Sequence, residues 1–362
     1  MRDVVIRADH SGGNIILDRI EGDTVFLRQD LRDTNGTWFY WNFRIENASP
    51  RTLVFRFTED IVGRYGPAVS RDGIRWEWAG TLSVVDEKAF TYTFQNDAAV
   101  YFCFCIPYLV RDLDRFLSAA KYAAVKRTAL TRSRQGREVP LLTLGDASAH
   151  RDIVFTARHH ACESTASYQL EGIIDRLIGN DILRTHRFHF IPFVDIDGVE
   201  NGDQGKSRIP HDHNRDYIDA PLYPETRALT AYMREIHSVL AIDCHAPYKW
   251  GGRNDYPFFV KQDSPVKERM ERIARHLHAA TANRPGNAVR YEPGQDIEKG
   301  VEWNTRASPT AAEMFLASGA VCAFTFELAY FGMTGGYSQE AFVDFGRDFA
   351  DAVIAYLEEG NV

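Results

Sequence analysis

The sequence predicts an α/β protein in which an antiparallel β-sandwich domain precedes an α/β/α domain built on a mixed sheet of roughly eight strands. Two observations carry this prediction. Up to about Pro107, the chain consists of short segments rich in aromatic and β-branched residues, which are typical of antiparallel strands. From about Asp112 onward, apolar segments alternate with segments of helical periodicity, which indicates a parallel or mixed sheet. We expect the two domains to cover residues 1–115 and 116–362.

The composition agrees with two folded domains and narrows the possible partners. Hydrophobic residues make up 44% of the 362 residues, and one domain per about 150 residues gives two domains. The 42 basic and 50 acidic residues give a net charge of −8 without a long run of one sign, which argues against nucleic-acid and membrane-surface partners. We therefore expect a small molecule or a peptide as the partner.

Three features predict a cytoplasmic location. The longest apolar stretch, residues 98–110, contains Pro107 and is shorter than the roughly twenty residues that cross a membrane. The N-terminus lacks the apolar core of a signal peptide. The cysteines are an odd number spread over the chain, which does not suit a disulfide-stapled secreted domain. These are Cys103, Cys105, Cys162, Cys244 and Cys322.

The N-terminal region contains four segments of strand-like composition, some of them separated by turn formers such as those of 33–36. The predicted strands are Thr37–Ile45, Thr52–Phe57, Ile74–Trp78 and Phe90–Phe94. Cys103 and Cys105 follow in an alternating segment typical of a packed strand, so we interpret them as core residues and not as metal ligands.

The C-terminal region alternates apolar strands with amphipathic helices. The strands, which look buried on both faces, are predicted at Asp152–Thr156, Phe188–Val194, Val239–Asp243 and Val321–Phe326. The helices are predicted at about 164–178, 224–237, 265–281 and 339–358.

Two histidines and a glutamate stand where predicted strands of the second region end. His160 and Glu163 follow strand 152–156 and open a helix, whereas His245 follows strand 239–243. The carboxyl ends of strands in open α/β sheets are where ligands bind. A His/His/Glu set leaves the fourth tetrahedral position of zinc open for water. The sequence therefore predicts a catalytic Zn²⁺, the alternative being that His245 is a core histidine bonded to a carbonyl.

Two further features bear on the chemistry. Glu327 ends a mostly apolar strand, where a carboxylate must be paired, protonated or facing a metal, so it is a candidate general base. In the polar segment 195–217, Asn214 and Arg215 offer donors suited to a carboxylate, and Lys206 offers a point charge. The alternative for this segment is a solvated charged loop.

Together these residues resemble the zinc metallocarboxypeptidases of the M14 family, and most closely the cytosolic carboxypeptidase subfamily. In the catalytic part, the resemblance rests on four ordered motifs, namely Ala157–Ser167, the stretch from Asp197-Gly198-Val199 to Asp212–Arg215, Asp243–His245, and Thr325–Glu327. Three N-terminal segments resemble the β-sandwich of that subfamily, namely Ser11–Asn14, Trp38–Phe43 and Tyr101–Tyr108.

The resemblance implies hydrolysis of the C-terminal peptide bond of a peptide or protein. Glu327 would then take the proton of the attacking water, and Asn214 and Arg215 would hold the terminal carboxylate of the substrate. Asp243 would either orient His245 or have a purely structural role.

His211 and His213 are interpreted as hydrogen-bonded loop residues and not as ligands of a second metal. The oligomeric state is left open.

The sequence departs from the family pattern at two places. Gly205 stands where the family carries an oxyanion-stabilising arginine, and we expect Lys206 to replace that arginine in preference to Arg208. Residues 292–326 contain no tyrosine to cover the substrate. At the family's position for a basic specificity residue stands Ala311, which predicts a preference for neutral or apolar C-terminal residues, although Arg306 is close by in sequence.

Two other functions are compatible with this scaffold. One is an amide deacylase that acts on acylated amino acids, which the long β-rich N-terminal region argues against. The other is a noncatalytic zinc-binding homologue, which the missing oxyanion arginine supports and the complete ligand set opposes. A panel of peptides and acyl amino acids separates all three.

Overall fold

The computed structural model describes residues 4–46, 49–284, 286, 288–298, 300–301 and 309–360. Among these residues, an aromatic N-terminal region is followed by a mixed sheet with helices on it. This order agrees with the predicted α/β class.

The N-terminal region is a β-sandwich of two five-stranded sheets, with strand orders β1-β4-β10-β6-β7 and β2-β3-β5-β9-β8. The strands are β1 (Val5–Arg7), β2 (Ile16–Glu21), β3 (Thr24–Arg28), β4 (Asn42–Glu46), β5 (Arg51–Phe57), β6 (Ala68–Ser70), β7 (Glu77–Trp78), β8 (Val84–Asp86), β9 (Ala89–Phe94) and β10 (Ala99–Cys103). Pairing is antiparallel except between β3 and β5. Fully buried aromatic rings from both sheets fill the space between them, with Phe43 of β4 5.6 Å from Phe55 of β5.

The C-terminal region is built on a seven-stranded mixed sheet with the order β11-β12-β14-β13-β15-β17-β16. Its strands are β11 (Lys126–Arg132), β12 (Glu138–Leu144), β13 (Arg151–Ala157), β14 (His186–Ile191), β15 (Ser238–His245), β16 (Phe258–Val260) and β17 (Ala323–Glu327). The central strands β14, β13, β15 and β17 are parallel, and the outer pairs are antiparallel. The described residues thus give seven strands where roughly eight were expected.

The helices form two groups around this sheet, in the α/β/α arrangement. They are α1 (Val110–Leu117), α2 (Ser164–Leu177), α3 (Ile196–Asn201), α4 (Pro224–Glu235), α5 (Val266–Asn283), α6 (Ala311–Ala317) and α7 (Gln339–Glu358). In one group α7 packs between α2 and α5, and in the other α4 contacts α6. No helix among the described residues is long and apolar enough to cross a membrane.

The four strands and four helices predicted for the C-terminal region are present, with ends shifted by a few residues. In the N-terminal region, the predicted strand 37–45 is wrong over its first half, because β4 begins only at Asn42. Likewise, only Glu77–Trp78 of the predicted strand 74–78 is a strand. All five cysteines are buried and unpaired, and Cys103 and Cys105 lie in the core as expected.

The order of the parallel strands decides where polar side chains can meet. Strands β13, β15 and β17 are neighbours and run in the same direction, so their carboxyl ends share one edge of the sheet. His245, the last residue of β15, pairs directly with Glu327, the last residue of β17.

Candidate functional site

A tight turn after β13 brings two of the predicted ligands to the edge of the sheet. Arg158 has a φ of 62°, and its guanidinium lies inside the turn, where Nε donates to the Ala161 carbonyl at 2.9 Å and Nη1 donates to the Tyr108 carbonyl at 2.8 Å. The turn places His160 and Glu163 just before α2. The buried arginine therefore satisfies one carbonyl of the turn and ties the turn to the segment at Tyr108.

His160, Glu163 and His245 form a compact cluster. His160 Nδ1 lies 2.9 Å from Glu163 Oε1, and His245 Nδ1 lies 2.7 Å from Glu163 Oε2. One potential ligand atom from each residue falls within 4.8 Å of the others. The three side chains also line a common pocket, so the set fits a zinc ion with an open coordination position.

The other ring nitrogen of each histidine faces a carboxylate. His160 Nε2 lies 3.3 Å from Asp212 Oδ1, and His245 Nε2 lies 2.6 Å from Asp243 Oδ2. Such carboxylates fix the tautomer and the orientation of metal-binding histidines. Asp243 therefore contacts His245 in the way that the orienting role requires. Asp212 lies in one of the four ordered motifs, but this role could not be predicted for it, because its partner is 52 positions away in the chain and no local pattern joins them.

A second set of residues with metal-binding atoms, His159, Asp243 and His245, lies behind this cluster. His159 Nδ1 is 2.8 Å from Asp243 Oδ1, and its Nε2 is 2.5 Å from the Tyr217 hydroxyl. His159 and Asp243 are fully buried and do not line the pocket. These contacts occupy the polar atoms of His159, so we interpret this set as support for His245.

Glu327 projects into the same pocket beside the cluster. It is buried, and among the described residues its Oε2 atom has no hydrogen-bond partner. Burial raises the pKa of Glu327 to about 7, against the lowering effect of His245. A carboxyl group with a pKa near neutrality and an open oxygen has the properties of a general base.

Lys206 is the cation that reaches the cluster. Its Nζ atom pairs with Glu163 Oε1 and donates to the Ala246 carbonyl at 3.2 Å. Burial alone lowers the pKa of a lysine, but the Glu163 carboxylate offsets this and raises the pKa of Lys206 above its ordinary value. The ammonium group therefore stays charged inside the pocket.

The backbone around Gly205 explains why no side chain stands at that position. Gly205 has a φ of 76°, and a Cβ atom there would lie 2.1 Å from the Ala161 nitrogen. An arginine at this position would collide with the main chain of the turn that carries His160. Lys206, one residue later, supplies the charge instead.

Arg208 does not line the pocket. Its guanidinium pairs with Asp195 and with Asp203, the latter at 3.0 Å, and Asp33 lies 3.7 Å away. Three carboxylates thus surround Arg208 outside the pocket, whereas Lys206 lines the pocket and pairs with Glu163 of the cluster.

Asn214 and Arg215 both line the pocket, on a short 3₁₀ turn. Asn214 Nδ2 lies 3.1 Å from His245 Nε2, and Asn214 Oδ1 accepts from the Ala311 nitrogen at 2.8 Å. Arg215 Nη1 donates to the Asn214 carbonyl at 2.7 Å. Both residues were predicted as site residues from one loop segment, and both line the same pocket as the histidine cluster.

The pocket has a volume of about 300 Å³, and part of its wall is neutral. This neutral part is formed by Val260, Gln262, Thr310 and Thr325. Ala311 lies directly behind Thr310 at the start of α6 and is fully buried. Arg306 lies outside the described residues.

Two aromatic residues of the pocket were not predicted from the sequence. Trp38 comes from the N-terminal region, and Tyr248 follows His245 by three positions, with their ring centroids 5.9 Å apart.

His211 and His213 form no metal-binding cluster among the described residues. His211 Nε2 lies 2.7 Å from the Arg215 carbonyl, and His213 stacks on Tyr223 at 3.7 Å.

Comparisons with known proteins agree with this geometry. Residues 115–343 match the model of the zinc carboxypeptidase family. Cytosolic carboxypeptidase 6 of Caenorhabditis elegans is 30% identical over 292 residues, which cover 67% of this chain and 62% of that protein. Cytosolic carboxypeptidase 2 of Danio rerio is 30% identical over 236 residues, or 53% of this chain and 32% of that protein. The chain thus spans less than two thirds of the length of either relative.

Solved structures show the same fold over nearly the whole chain. A metallo-carboxypeptidase from Burkholderia cenocepacia superposes with a TM-score of 0.80 at 19% identity, covering 99% of both chains. A metallo-carboxypeptidase from Pseudomonas aeruginosa, solved in complex with (2-guanidinoethylmercapto)succinic acid, gives 0.79 at 22% identity, covering 98% of this chain and 99% of that chain. Since the family model matches well over half of its residues, the chain belongs to the zinc carboxypeptidase family, M14.

Proposed function

We propose that this protein is a zinc-dependent metallocarboxypeptidase that removes the C-terminal residue of peptides or proteins. The observation that supports this most strongly is the meeting of a His/Glu/His cluster with the open carboxylate of Glu327 in one pocket. His160, Glu163 and His245 would hold the zinc ion. When bound, zinc lowers the pKa of a water molecule and polarises a carbonyl group.

The residues of the chain would divide the remaining work. Glu327 takes the proton of the attacking water and passes it to the leaving amine. Lys206 donates to the oxygen of the scissile carbonyl as that oxygen gains charge. Asn214 and Arg215 bind the terminal carboxylate of the substrate, and this binding restricts cleavage to chain ends.

The neutral part of the pocket supports a preference for neutral or apolar C-terminal side chains. Val260 and Thr325 are paired across β16 and β17, and Thr325 is two positions before Glu327, so these side chains share one face of the sheet. Among the described residues, this wall carries no cation to receive an acidic side chain. Burial of an unpaired carboxylate costs several kcal/mol, so an acidic terminus is disfavoured there.

We also propose that the protein acts in the cytoplasm, as the names of its cytosolic relatives suggest. The names of these relatives specify no substrate. The peptide or protein C-terminus is therefore the substrate class that this proposal commits to.

The test is a substrate panel assayed with the zinc-loaded protein. The panel holds N-blocked peptides that differ only in a terminal Glu, Lys, Leu or Phe, together with N-acylated amino acids. We expect release of the terminal residue, with the highest kcat/KM for Leu or Phe. The highest value for Glu would refute the side-chain preference. Turnover of the acylated amino acids alone would replace the peptidase with a deacylase, and no turnover at all would favour a noncatalytic protein.

A further inference from the structure

The loop that carries Lys206 is attached to the N-terminal region by Asp33. This loop, residues 203–209, is called the lysine loop below. Asp33 is buried, and its two carboxylate oxygens accept from the backbone nitrogens of Gln204 at 3.1 Å and Gly205 at 2.9 Å. The Asp33 carbonyl also accepts from the Ile209 nitrogen at 2.8 Å. One residue of the N-terminal region thus bonds the loop on both sides of Lys206.

Thr34 adds a bond at Lys206 itself. Its Oγ1 atom donates to the Lys206 carbonyl at 2.7 Å, and its backbone forms an antiparallel bridge with Arg208. Thr34 and Lys206 are both buried. The main chain of Lys206 therefore has its position set from outside the C-terminal sheet.

The opposite side of the lysine loop packs on the metal-ligand turn. The Cys162 nitrogen donates to the Gln204 carbonyl at 3.2 Å, and Gly205 lies against the main chain of His160 and Ala161. The loop is therefore held between the N-terminal region and the turn with the predicted zinc ligands. A shift of the N-terminal region would therefore move Lys206 relative to the predicted zinc ligands.

Trp38 contacts the charged end of the side chain. The Lys206 Nζ atom lies 5.4 Å from the centroid of the Trp38 ring, within the range of a cation–π interaction. Trp38 is half-buried and lines the pocket next to Tyr248. A long lysine side chain loses rotamer freedom when it is fixed, so contacts that hold it in advance lower the cost of using its charge.

We propose that Asp33, Thr34 and Trp38 are positioning residues that hold Lys206 toward the scissile carbonyl. This inference rests on the proposed function, because it assigns the catalytic donation to Lys206. It makes the N-terminal region part of the active site: two of its residues fix the main chain of the lysine loop, and its tryptophan contacts the ammonium group, which also pairs with Glu163 and donates to the Ala246 carbonyl.

The first test compares Trp38→Leu and Trp38→Phe. We expect Trp38→Leu to lower kcat by roughly 3- to 30-fold, the scale of a partly buried cation–π contact, with KM nearly unchanged. Trp38→Phe should recover part of the loss, since a smaller ring remains. The matched control is Trp78→Leu, because Trp78 joins the same two regions elsewhere, with Nε1 donating to the Tyr337 carbonyl at 2.9 Å. An equal loss in this control, or a rise in KM alone, would overturn the proposal.

The second test combines Trp38→Leu with Lys206→Ala. If Trp38 acts through Lys206, its substitution should lower kcat no further once Lys206 is absent. Additive losses would show that Trp38 acts on the substrate or on folding, and would overturn the positioning role. Thr34→Val, which removes the bond to the Lys206 carbonyl, is expected to behave in the same way.

A third test does not depend on catalysis. Acetylation of Lys206 by an N-hydroxysuccinimide ester, followed by mass spectrometry, reports whether the ammonium group is held. We expect slow labelling in the wild type and severalfold faster labelling in Trp38→Leu and Thr34→Val, but not in Trp78→Leu. If the wild type cleaves no peptide, the proposed function fails, whereas unchanged labelling in both variants contradicts the positioning of Lys206 independently.

Discussion

Glu327 is the residue in which burial and chemistry are most closely connected. The strand that carries it pairs it with His245, and the surrounding core raises its pKa to about 7 while leaving one oxygen without a partner among the described residues. A base of this kind takes a proton more readily than an exposed glutamate. In a purely structural residue, a buried carboxylate with an unbonded oxygen would only destabilise the folded state.

Replacing Glu327 with Gln keeps the size of the side chain and removes its ability to take a proton. We expect kcat to fall by about 10² or more, the scale of losing a general base. Zinc content, measured by metal analysis of the purified variant, should equal that of the wild type. A variant with near wild-type turnover would make Glu327 structural.

Lys206 and Arg208 are two positions apart, and the structure separates their roles. Lys206→Ala should lower kcat by about 10²–10³ with little change in zinc content, because one oxyanion donor is lost. Arg208→Ala should instead lower the melting temperature, because the buried Asp195 and Asp203 each lose a charged partner. Steady-state kinetics together with thermal unfolding distinguish the two variants. The reverse pattern would transfer the oxyanion role to Arg208.

The ligand set and Glu327 could be predicted because each stands at the end of an apolar strand, where the residue type itself is informative. The glycine at position 205 and the choice of Lys206 over Arg208 were read from the sequence, but the reason for the glycine could not be, since it depends on a positive φ and on contact with the Ala161 nitrogen. Trp38 and Asp33 were also missed. Their partners are more than 160 positions away in the chain, and a single sequence carries no signal of such contacts.

At the scale of the elements, the loop at Asp212 braces the turn before α2. Asp212 Oδ1 is 3.3 Å from His160 Nε2 and accepts from the Asn214 nitrogen at 2.8 Å, while Oδ2 accepts from the Ser207 nitrogen at 3.1 Å. One carboxylate thus connects a predicted zinc ligand, the predicted carboxylate-binding turn and the lysine loop.

We expect Asp212→Asn to weaken zinc binding by about 10- to 100-fold, the usual effect of losing a carboxylate that orients a metal-bound histidine. Competition with a chelator of known affinity measures this change. Asp216→Asn is the matched control, because Asp216 is also buried in the same loop but bonds the Leu222 and Tyr223 nitrogens. Equal losses in both variants would indicate a general loosening of the loop.

Helix α2 meets the chain leaving the β-sandwich at a partly buried acid, Glu171. The Tyr108 hydroxyl donates to Glu171 Oε1 at 2.6 Å, and burial raises the pKa of Glu171 to about 8. The folded state therefore keeps a proton that the unfolded state releases near pH 4.5. Between those two pH values, the unfolded state binds fewer protons, so the free energy of unfolding falls as the pH rises.

Glu171→Gln removes this titration while keeping a hydrogen-bonding side chain. We expect the decrease in melting temperature between pH 5.5 and pH 8.5 to be smaller in Glu171→Gln than in the wild type. Glu138→Gln, on an exposed part of β12, should leave the wild-type decrease unchanged. Thermal unfolding at the two pH values checks both, and parallel decreases in all three proteins would contradict a partly buried, protonated Glu171.

Element types were predicted well where periodicity was strong, as for α2, α4, α5 and α7. The predicted strand 37–45 shows the opposite case. The Tyr40 nitrogen donates to Gln204 Oε1 at 2.8 Å, and the Tyr40 carbonyl accepts from Gln204 Nε2 at 2.7 Å. A side chain of the other region thus replaces the strand ladder, so a segment with high strand propensity forms an interface loop.

For the whole molecule, the two regions share one continuous hydrophobic core. The division into residues 1–115 and 116–362 stays a prediction, and α1 (Val110–Leu117) spans its boundary. The fold class followed from the order of strand-rich and alternating segments. The contribution of Trp38 to the pocket could not follow from it, because that contribution depends on how the regions pack together.

The site also lies in a large fold that does not need a metal to form its core. The buried aromatic residues of both regions supply the packing, and the three predicted ligands lie at one edge of the sheet. Chelation is therefore expected to stop turnover without unfolding the chain, unlike the removal of a structural zinc ion.

The central claim is that this pocket uses a metal ion and Glu327 to release C-terminal residues. The most direct measurement is mass spectrometry of an N-blocked peptide ending in Leu, after incubation with zinc-loaded wild type, chelated wild type and zinc-loaded Glu327→Gln. Circular dichroism of the three samples checks that each is folded. The account predicts loss of the terminal leucine with the zinc-loaded wild type only. Equal release by the chelated protein, or no release by the zinc-loaded wild type, would contradict it.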